Sequence, residues 1–251
     1  MERICIYMTN KEVVYSLKAQ FSGQNLITTH DVSKALMLLF PDAAENTLAW
    51  RIFQLKKENL INQVGRGLYS FEFKPEYIPE ISPKTKRFFK RIKHLGQSEL
   101  CVWDTSMLSE ISGAIVNKHW IFIAVPKDEL DGLYDQMLGF SKQVFLHPDK
   151  DVLHRYMMAQ DEAIILTPLI SEAPIFKADD FVSLTLEGIL VNALFESESF
   201  LSAMGISPIE LFRLAFEKYN VNRSKLLRYA SRRDKKVEIE NFIKKISKNG
   251  K

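Results

Sequence analysis

Apolar residues recur at helical spacing near the start of the chain. Residues 9–21 place a stripe of apolar side chains on one helical face, and a second stripe begins after Thr28 or Thr29. Either threonine can cap the start of that second helix. Phe40-Pro41 ends it, because the residue before a proline avoids the helical conformation. The pattern predicts two short amphipathic helices.

A third stripe, formed by Leu48, Ile52 and Leu55, predicts another helix. Asp42 can cap its start, and Glu45 three residues later completes a capping box. The opposite side carries residue types that can reach base edges and phosphates of DNA. This polar face comprises Asn46, Thr47, Trp50, Arg51 and Gln54.

The chain then changes to strand-like alternation. Asn59 tolerates the left-handed conformation that ends helices, and residues 60–64 lead through a Gly65-Arg66-Gly67 turn into a second strand. Tyr69, Phe71 and Phe73 lie on one face of that strand. A helix followed by a hairpin with an arginine at its tip is the winged helix-turn-helix arrangement, in which the hairpin contacts the DNA backbone or minor groove. Arg66 is therefore a candidate DNA contact, although winged-helix folds also serve as protein-interaction modules.

A basic segment follows this first domain. Residues 74–83 contain three prolines and predict a linker or an extended strap. The next stretch, KTKRFFKRIKHL, is amphipathic, and Lys84 and Arg87 on its charged side are candidate DNA contacts. The alternative is a solvated helix that packs on the next domain through its phenylalanines.

Beyond residue 99, short apolar runs alternate with helix-like segments. The runs are CVWD (101–104), HWIFIAVP (119–126), QVFLHP (143–148) and AIILTPL (163–169). This alternation predicts an α/β domain with a partly parallel sheet. From Ser183 onward, helices are predicted over residues 184–195, 208–219, 223–233 and 237–248.

These elements predict a two-domain protein of the α+β or α/β class. A winged helix-turn-helix domain occupies residues 1–75, a basic linker or helix residues 76–98, and a mixed α/β domain with basic C-terminal helices residues 99–251.

The net charge of +3 conceals a strong segregation of charge. Residues 81–98 hold six basic residues and no acidic residue, whereas residues 99–210 hold 18 acidic against six basic residues. Residues 211–251 hold 13 basic against four acidic residues. Such blocks indicate separate surfaces for separate partners, with the basic blocks facing nucleic acid. Alternatively, the acidic middle and the basic tail satisfy each other within one domain.

Composition indicates a globular protein, with 46% hydrophobic and 26% charged residues. No apolar run approaches the ~20 residues of a membrane span, and the N-terminus lacks a signal-peptide core. The two cysteines, Cys5 and Cys101, form no spaced pair. These features predict a cytoplasmic protein with reduced thiols.

The sequence shows no established catalytic motif. It has no phosphate-binding glycine loop and no G-x-S-x-G elbow, and its histidines lack metal-ligand spacing. Asp104 at the end of one strand and Lys127 after the next resemble a restriction-type nuclease site, but Val125 stands at the second acidic position. Because one carboxylate cannot hold the required cation, we expect a non-enzymatic protein without metal or cofactor.

Three stretches resemble the AbiEi-type antitoxins of AbiE bacterial toxin–antitoxin systems. They are TLAWRIFQLKKENLINQVGRGLYSF near the start, VWDTSMLSEI with HWIFIAVPKDELDGLYDQM in the middle, and SLTLEGILVNALFE with NVNRSKLLRYASRRDKKVEI near the end. The resemblance implies an antitoxin whose N-terminal domain binds operator DNA and represses its own operon. Its C-terminal domain would counteract a nucleotidyltransferase-fold toxin, with or without direct contact.

By the same resemblance, basic residues around the predicted helix 223–233 form the surface that counteracts the toxin. They lie largely off an apolar seam of Leu226, Leu227 and Ala230, so we expect them to face solvent or a polyanion. The set is Lys225, Arg228, Arg232, Arg233, Lys235 and Lys236. The alternative function is a stand-alone winged-helix transcriptional regulator whose α/β domain senses a small molecule.

Overall fold

The structure, a computed structural model, describes residues 8–195 and 198–249. Contacts divide the chain into two compact units. The first runs to Pro75 and also includes Asn222–Ser224, and the second comprises the rest. Each unit encloses its own hydrophobic core, and both contain helices and strands, as the sequence predicts.

The first unit combines helices with a small antiparallel sheet. Its elements are α1 (Asn10–Gln20), β1 (Ile27–Thr28), α2 (Thr29–Leu39), α3 (Glu45–Lys57), β2 (Asn62–Gly65) and β3 (Leu68–Ser70). The strand order is β1-β3-β2, so the hairpin β2–β3 pairs with the short strand that precedes α2. One apolar face of each helix packs into the common core.

Helices α1 and α2 both begin with a capping box. The Thr28 hydroxyl accepts a hydrogen bond from the Asp31 backbone nitrogen at 3.1 Å, and the Asp31 carboxylate accepts one from the Thr28 backbone nitrogen at 3.0 Å. Thr9 and Glu12 make the same exchange. The side-chain and backbone hydrogen bonds from Thr28 hold the pKa of Asp31 below its usual value. These caps satisfy amide groups that helix starts otherwise leave unpaired.

Helix α3 begins later than its predicted cap. Its N-cap is Ala44, and no side chain caps it, so the predictions that Asp42 caps the helix and that Glu45 completes a capping box are wrong. The backbone nitrogen of Ala43 donates instead to the Phe40 carbonyl at 3.1 Å. This turn uses up the residues after Pro41 before the helix can start. The predicted end is confirmed, because Asn59 is left-handed with a φ of 53°.

The hairpin is shorter than its aromatic alternation suggests. Tyr69 is buried and Phe71 is half-buried, as predicted. The prediction for Phe73 is wrong, since β3 ends at Ser70 and 53% of the Phe73 side chain is exposed. Gly67, with a φ of 68°, takes the left-handed conformation in the turn, where glycine is favoured.

The second unit is built on a four-stranded sheet of order β4-β5-β7-β6. Strands β5, β7 and β6 are parallel and β4 is antiparallel to β5, which confirms the predicted partly parallel sheet. The elements up to the last strand of this sheet are α4 (Pro83–Lys93), β4 (Cys101–Asp104), α5 (Ser106–Ser112), β5 (His119–Val125), a 3-10 turn (Lys127–Glu129), α6 (Leu130–Leu138), β6 (Val144–Leu146), α7 (Lys150–Val152), a π-helical turn (Leu153–Met157) and β7 (Glu162–Pro168).

The remaining elements include three that were not predicted. They are the hairpin β8 (Ile175–Ala178) and β9 (Phe181–Leu184), then α8 (Leu186–Phe195), α9 (Glu198–Ala203), α10 (Pro208–Lys218), α11 (Arg223–Arg232) and α12 (Lys236–Asn249). The hairpin β8–β9 and α9 are the additions, and the four predicted C-terminal helices are confirmed with small shifts at their ends. Among the described helices, none is long and apolar enough to cross a membrane.

Aromatic side chains of the sheet in the second unit are buried and packed against other groups. Trp103 stacks on Phe122 with ring centroids 4.1 Å apart, and Trp120 donates from Nε1 to the Gln160 carbonyl at 3.1 Å. Cys101 in β4 is only 1% exposed, and burial raises the pKa of its thiol to about 12. The sheet is therefore an interior element.

Residues 76–98 belong to the second unit. The Tyr77 hydroxyl donates to the Glu110 carboxylate at 2.6 Å, and its ring meets Tyr219 edge-on with centroids 5.1 Å apart. Helix α4 then buries Phe89 and Ile92 in the core of this unit. The basic segment thus packs through its apolar side and leaves its charged side exposed.

Candidate nucleic-acid interface

The outward face of α3 combines polar and aromatic side chains. Burial of the apolar stripe turns this face to solvent, where Asn46 and Thr47 are exposed and Trp50 is 58% exposed. Phe53 is 55% exposed, and it is an additional member of this face that was not predicted from the sequence. Its position three residues after Trp50 places both rings on neighbouring turns of one face, which was a readable signal. Large exposed aromatic groups are typical of a contact surface.

Two predicted members of this face are less accessible. The guanidinium carbon of Arg51 lies 3.9 Å from the centroid of the Phe40 ring, a cation–π contact. Arg51 is half-buried, and its Nε is enclosed without a hydrogen-bond partner in the part of the chain that the structure describes. Gln54 is also half-buried. Arg51 would have to leave the Phe40 ring to reach a base.

The tip of the hairpin presents a cation to solvent. Arg66 lies in the turn between β2 and β3, and it is exposed. An arginine at such a tip can reach a phosphate or enter a minor groove. Helix α3 and Arg66 belong to the same compact unit.

Helix α4 carries the second predicted set of contacts, and its members differ. Lys84 forms an ion pair with Glu162 at the start of β7, which holds the pKa of Glu162 below its usual value. Arg87 is exposed. Lys84 is therefore partly engaged in an ion pair within the fold, whereas Arg87 remains accessible to a ligand.

The basic C-terminal cluster faces acidic partners. The carboxylate of Glu172 lies 3.2 Å from Arg232 and 3.9 Å from Arg228, and Arg232 holds the pKa of Glu172 below its usual value. Lys225 lies 3.8 Å from the buried Glu187. Because Glu172 and Glu187 belong to the acidic block 99–210, these contacts favour the interpretation that the acidic middle and the basic tail match each other.

The end of the cluster departs from its prediction. Lys235 pairs with Glu238 at 2.9 Å and Lys236 with Glu240 at 4.0 Å, although Lys236 remains exposed. Arg233 is only 5% exposed, so the prediction that it faces solvent is wrong. The helix α11 ends at Arg232, and the Arg233 nitrogen donates to the Ala230 carbonyl in a turn. Helical spacing therefore no longer sets the direction of its side chain.

The carboxylate of Asp104 is buried and is held by hydrogen bonds within the fold. It is fully buried and accepts hydrogen bonds from the hydroxyl groups of Thr85 and Ser106 and from the Ser106 backbone nitrogen at 2.9 Å. Lys127, the other member of the nuclease-like pair, is exposed in the turn after β5. Asp104 thus ties α4 and the start of α5 to the end of β4.

The chain matches a protein family over most of its length. The family is described as Family of unknown function (DUF6577), and it matches residues 47–249. The chain belongs to this family. No curated protein and no solved structure matches the chain. The DUF6577 match begins within α3, so it includes Trp50, Arg66 and nearly all of the second unit.

The second unit of this DUF6577 protein contains a small apolar cavity. Its walls come from β5, the segment after β6, the π-helical turn, β7 and α9. They consist of Trp120, Phe122, Pro148, Leu153, Met157, Ile165 and Phe200. The cavity volume is about 10 Å³, room for a single water-sized sphere. This cavity is too small for a drug-sized ligand, whose pockets typically measure about 300–1,000 Å³.

Proposed function

We propose that this DUF6577 protein binds duplex DNA sequence-specifically through α3 and the β2–β3 hairpin. The observation that carries the proposal is the order of elements in the first unit, α1-β1-α2-α3-β2-β3, with the sheet order β1-β3-β2. This order supports a winged helix-turn-helix, in which α3 enters the major groove and the hairpin grips the flanking backbone. The outward side chains of α3 are the residue types that such a helix needs.

The chemistry of the α3 face supports reading of bases. Asn46 can pair with adenine through its amide, which supplies both a donor and an acceptor. Thr47, Trp50 and Phe53 offer apolar atoms that fit the methyl group of thymine. Arg66 supplies a charge at the hairpin tip, where it would contact phosphate.

A regulatory role completes the proposal. The resemblance to AbiEi-type antitoxins supports repression of the protein's own operon by the first unit and counteraction of a nucleotidyltransferase-fold toxin by the second. The exposed members of the C-terminal cluster, Arg228, Arg232 and Lys236, are then the side chains best placed to act on the toxin or on a nucleic acid that it modifies.

Removal of the two polar contacts should weaken specific binding. Sites selected from a random duplex pool, followed by titration, should show that Asn46→Ala with Arg66→Ala lowers affinity about 30-fold or more, since each good contact contributes about 1–3 kcal/mol and two are lost. A control, Asn25→Ala with Lys11→Ala, removes one amide and one positive charge from exposed positions elsewhere in the first unit. Equal affinity of the test and control variants for the selected site would contradict the assignment.

A further inference from the structure

We propose that the exposed middle of α4 is a second nucleic-acid surface, which binds the phosphate backbone without regard to sequence. The surface consists of Lys86, Arg87 and Lys90, all of which are exposed. Since these residues lie one turn or less apart, they form one continuous cationic patch on the helix. This surface belongs to the second unit, so the inference does not depend on base reading by α3.

The fold supplies counter-charges to the ends of α4 but not to its middle. Lys84 near the first turn pairs with Glu162, and Lys93 in the last turn pairs with Asp180 at 3.2 Å. The guanidinium carbon of Arg91 lies 4.0 Å from the centroid of the Phe140 ring. Across the described residues, no acidic side chain forms an ion pair with the three cations of the middle. The middle of α4 is thus an unmatched charge in a unit that has many acidic residues.

This distribution of charge is unfavourable for the helix by itself. Lys86 and Lys90 repel each other across one turn, because like charges four residues apart destabilise a helix. Cations near the helix start also oppose the helix dipole, and α4 has no acidic residue in its first turn to compensate, whereas Lys90 lies in the last turn, where the dipole favours a cation. A bound polyanion would relieve both effects.

The packing of α4 selects nucleic acid over a membrane as the polyanion. A basic helix that binds a lipid surface inserts its apolar face between the lipids. Here that face is already used, since Phe89 is 3% exposed and Ile92 is fully buried in the core of the unit. What remains outside is mainly charge, since Phe88 also packs half-buried against the core, and this suits a row of phosphates.

Salt dependence of binding tests the inference on the full chain. The probe is a fluorescently labelled DNA duplex of mixed sequence, and the test variant is Lys86→Ala, Arg87→Ala and Lys90→Ala. The slope of log affinity against log salt is negative, and each lost phosphate contact should make it less steep by about 0.9. Wild type should therefore lose about 40-fold more affinity than the variant between about 50 and 200 mM salt. A control, Lys127→Ala, Lys150→Ala and Lys244→Ala, removes equal charge from exposed positions on three other elements.

The outcomes separate this surface from the α3 site. A flatter slope for the α4 variant alone supports the inference, and Arg87→Lys should retain the wild-type slope because it keeps the charge. Equal flattening by the control would reduce the effect to net charge and overturn the inference, as would an unchanged slope. Tighter binding to anionic vesicles or to polyglutamate than to the duplex would overturn the choice of nucleic acid. The preference for a selected site over mixed sequence reports on α3 and should be the same in all variants.

Discussion

Asp104→Ala is expected to lower the free energy of unfolding of the second unit by about 3 kcal/mol. The carboxylate receives three hydrogen bonds, from the hydroxyl groups of Thr85 and Ser106 and from the Ser106 backbone. Thr85 is fully buried, so its hydroxyl would lose the acceptor without gaining water. Buried donors left without a partner carry much of the cost of such a substitution.

Urea unfolding measures this loss, and tryptophan fluorescence can be confined to the second unit. The chain has three tryptophans, and Trp50→Phe leaves Trp103 and Trp120 as the reporters. Asp104→Asn should cost less, because the amide oxygen still accepts, and Asp135→Ala at an exposed site should cost almost nothing. If Asp104→Ala unfolds at the wild-type urea concentration, the hydrogen bonds of this carboxylate do not stabilise the second unit, and the structural role given to Asp104 is wrong.

Arg228→Ala with Arg232→Ala is expected to abolish protection in cells that express the cognate toxin, under the proposed antitoxin function. Both side chains are more than half exposed, at 66% and 52%, so their removal should leave the fold intact. The loss would therefore reflect the missing charges rather than missing protein. Growth after toxin induction, at equal antitoxin abundance, measures it, and operator binding by the first unit should persist.

Glu172→Gln provides the decisive comparison for this prediction. It removes the acid that both arginines face and leaves the arginines themselves in place. If the arginines act on an external polyanion, Glu172→Gln retains protection. If Glu172→Gln fails as completely as the double arginine variant, the ion pairs hold the structure and the protective surface lies elsewhere. Lys244→Ala with Lys245→Ala removes the same charge from α12 and should be harmless.

Periodicity predicted most elements of both units, because burial of one face fixes spacing directly. The stripe of α3 and the parallel strands β5, β6 and β7 are examples in which apolar spacing or an apolar run was sufficient. The start of α3 was not predictable in this way. The turn after Pro41 competes with the Asp42 cap, and periodicity does not tell which of the two local hydrogen-bonding patterns forms.

Features at the ends of elements account for the other differences. Phe73 and Arg233 were placed by extending a period past the end of a strand and of a helix, where the period no longer holds. The hairpin β8–β9 had a signal in the Asp179-Asp180 turn between apolar runs, and Asp179 indeed adopts a φ of 51°. The contact of Arg51 with Phe40 joins two parts of the unit, and no local pattern encodes it.

The rate at which the buried thiol of Cys101 is alkylated can report on local opening of the second unit. Alkylating reagents react with the thiolate, which is the nucleophile, and a thiol with a pKa of about 12 in a residue that is 1% exposed presents almost no thiolate. In a Cys5→Ser chain, modification can then proceed only when β4 leaves the sheet. The labelling rate would then measure how often the strand that ends in Asp104 opens. Labelling works in native buffer, whereas a urea titration reports only on unfolding in denaturant.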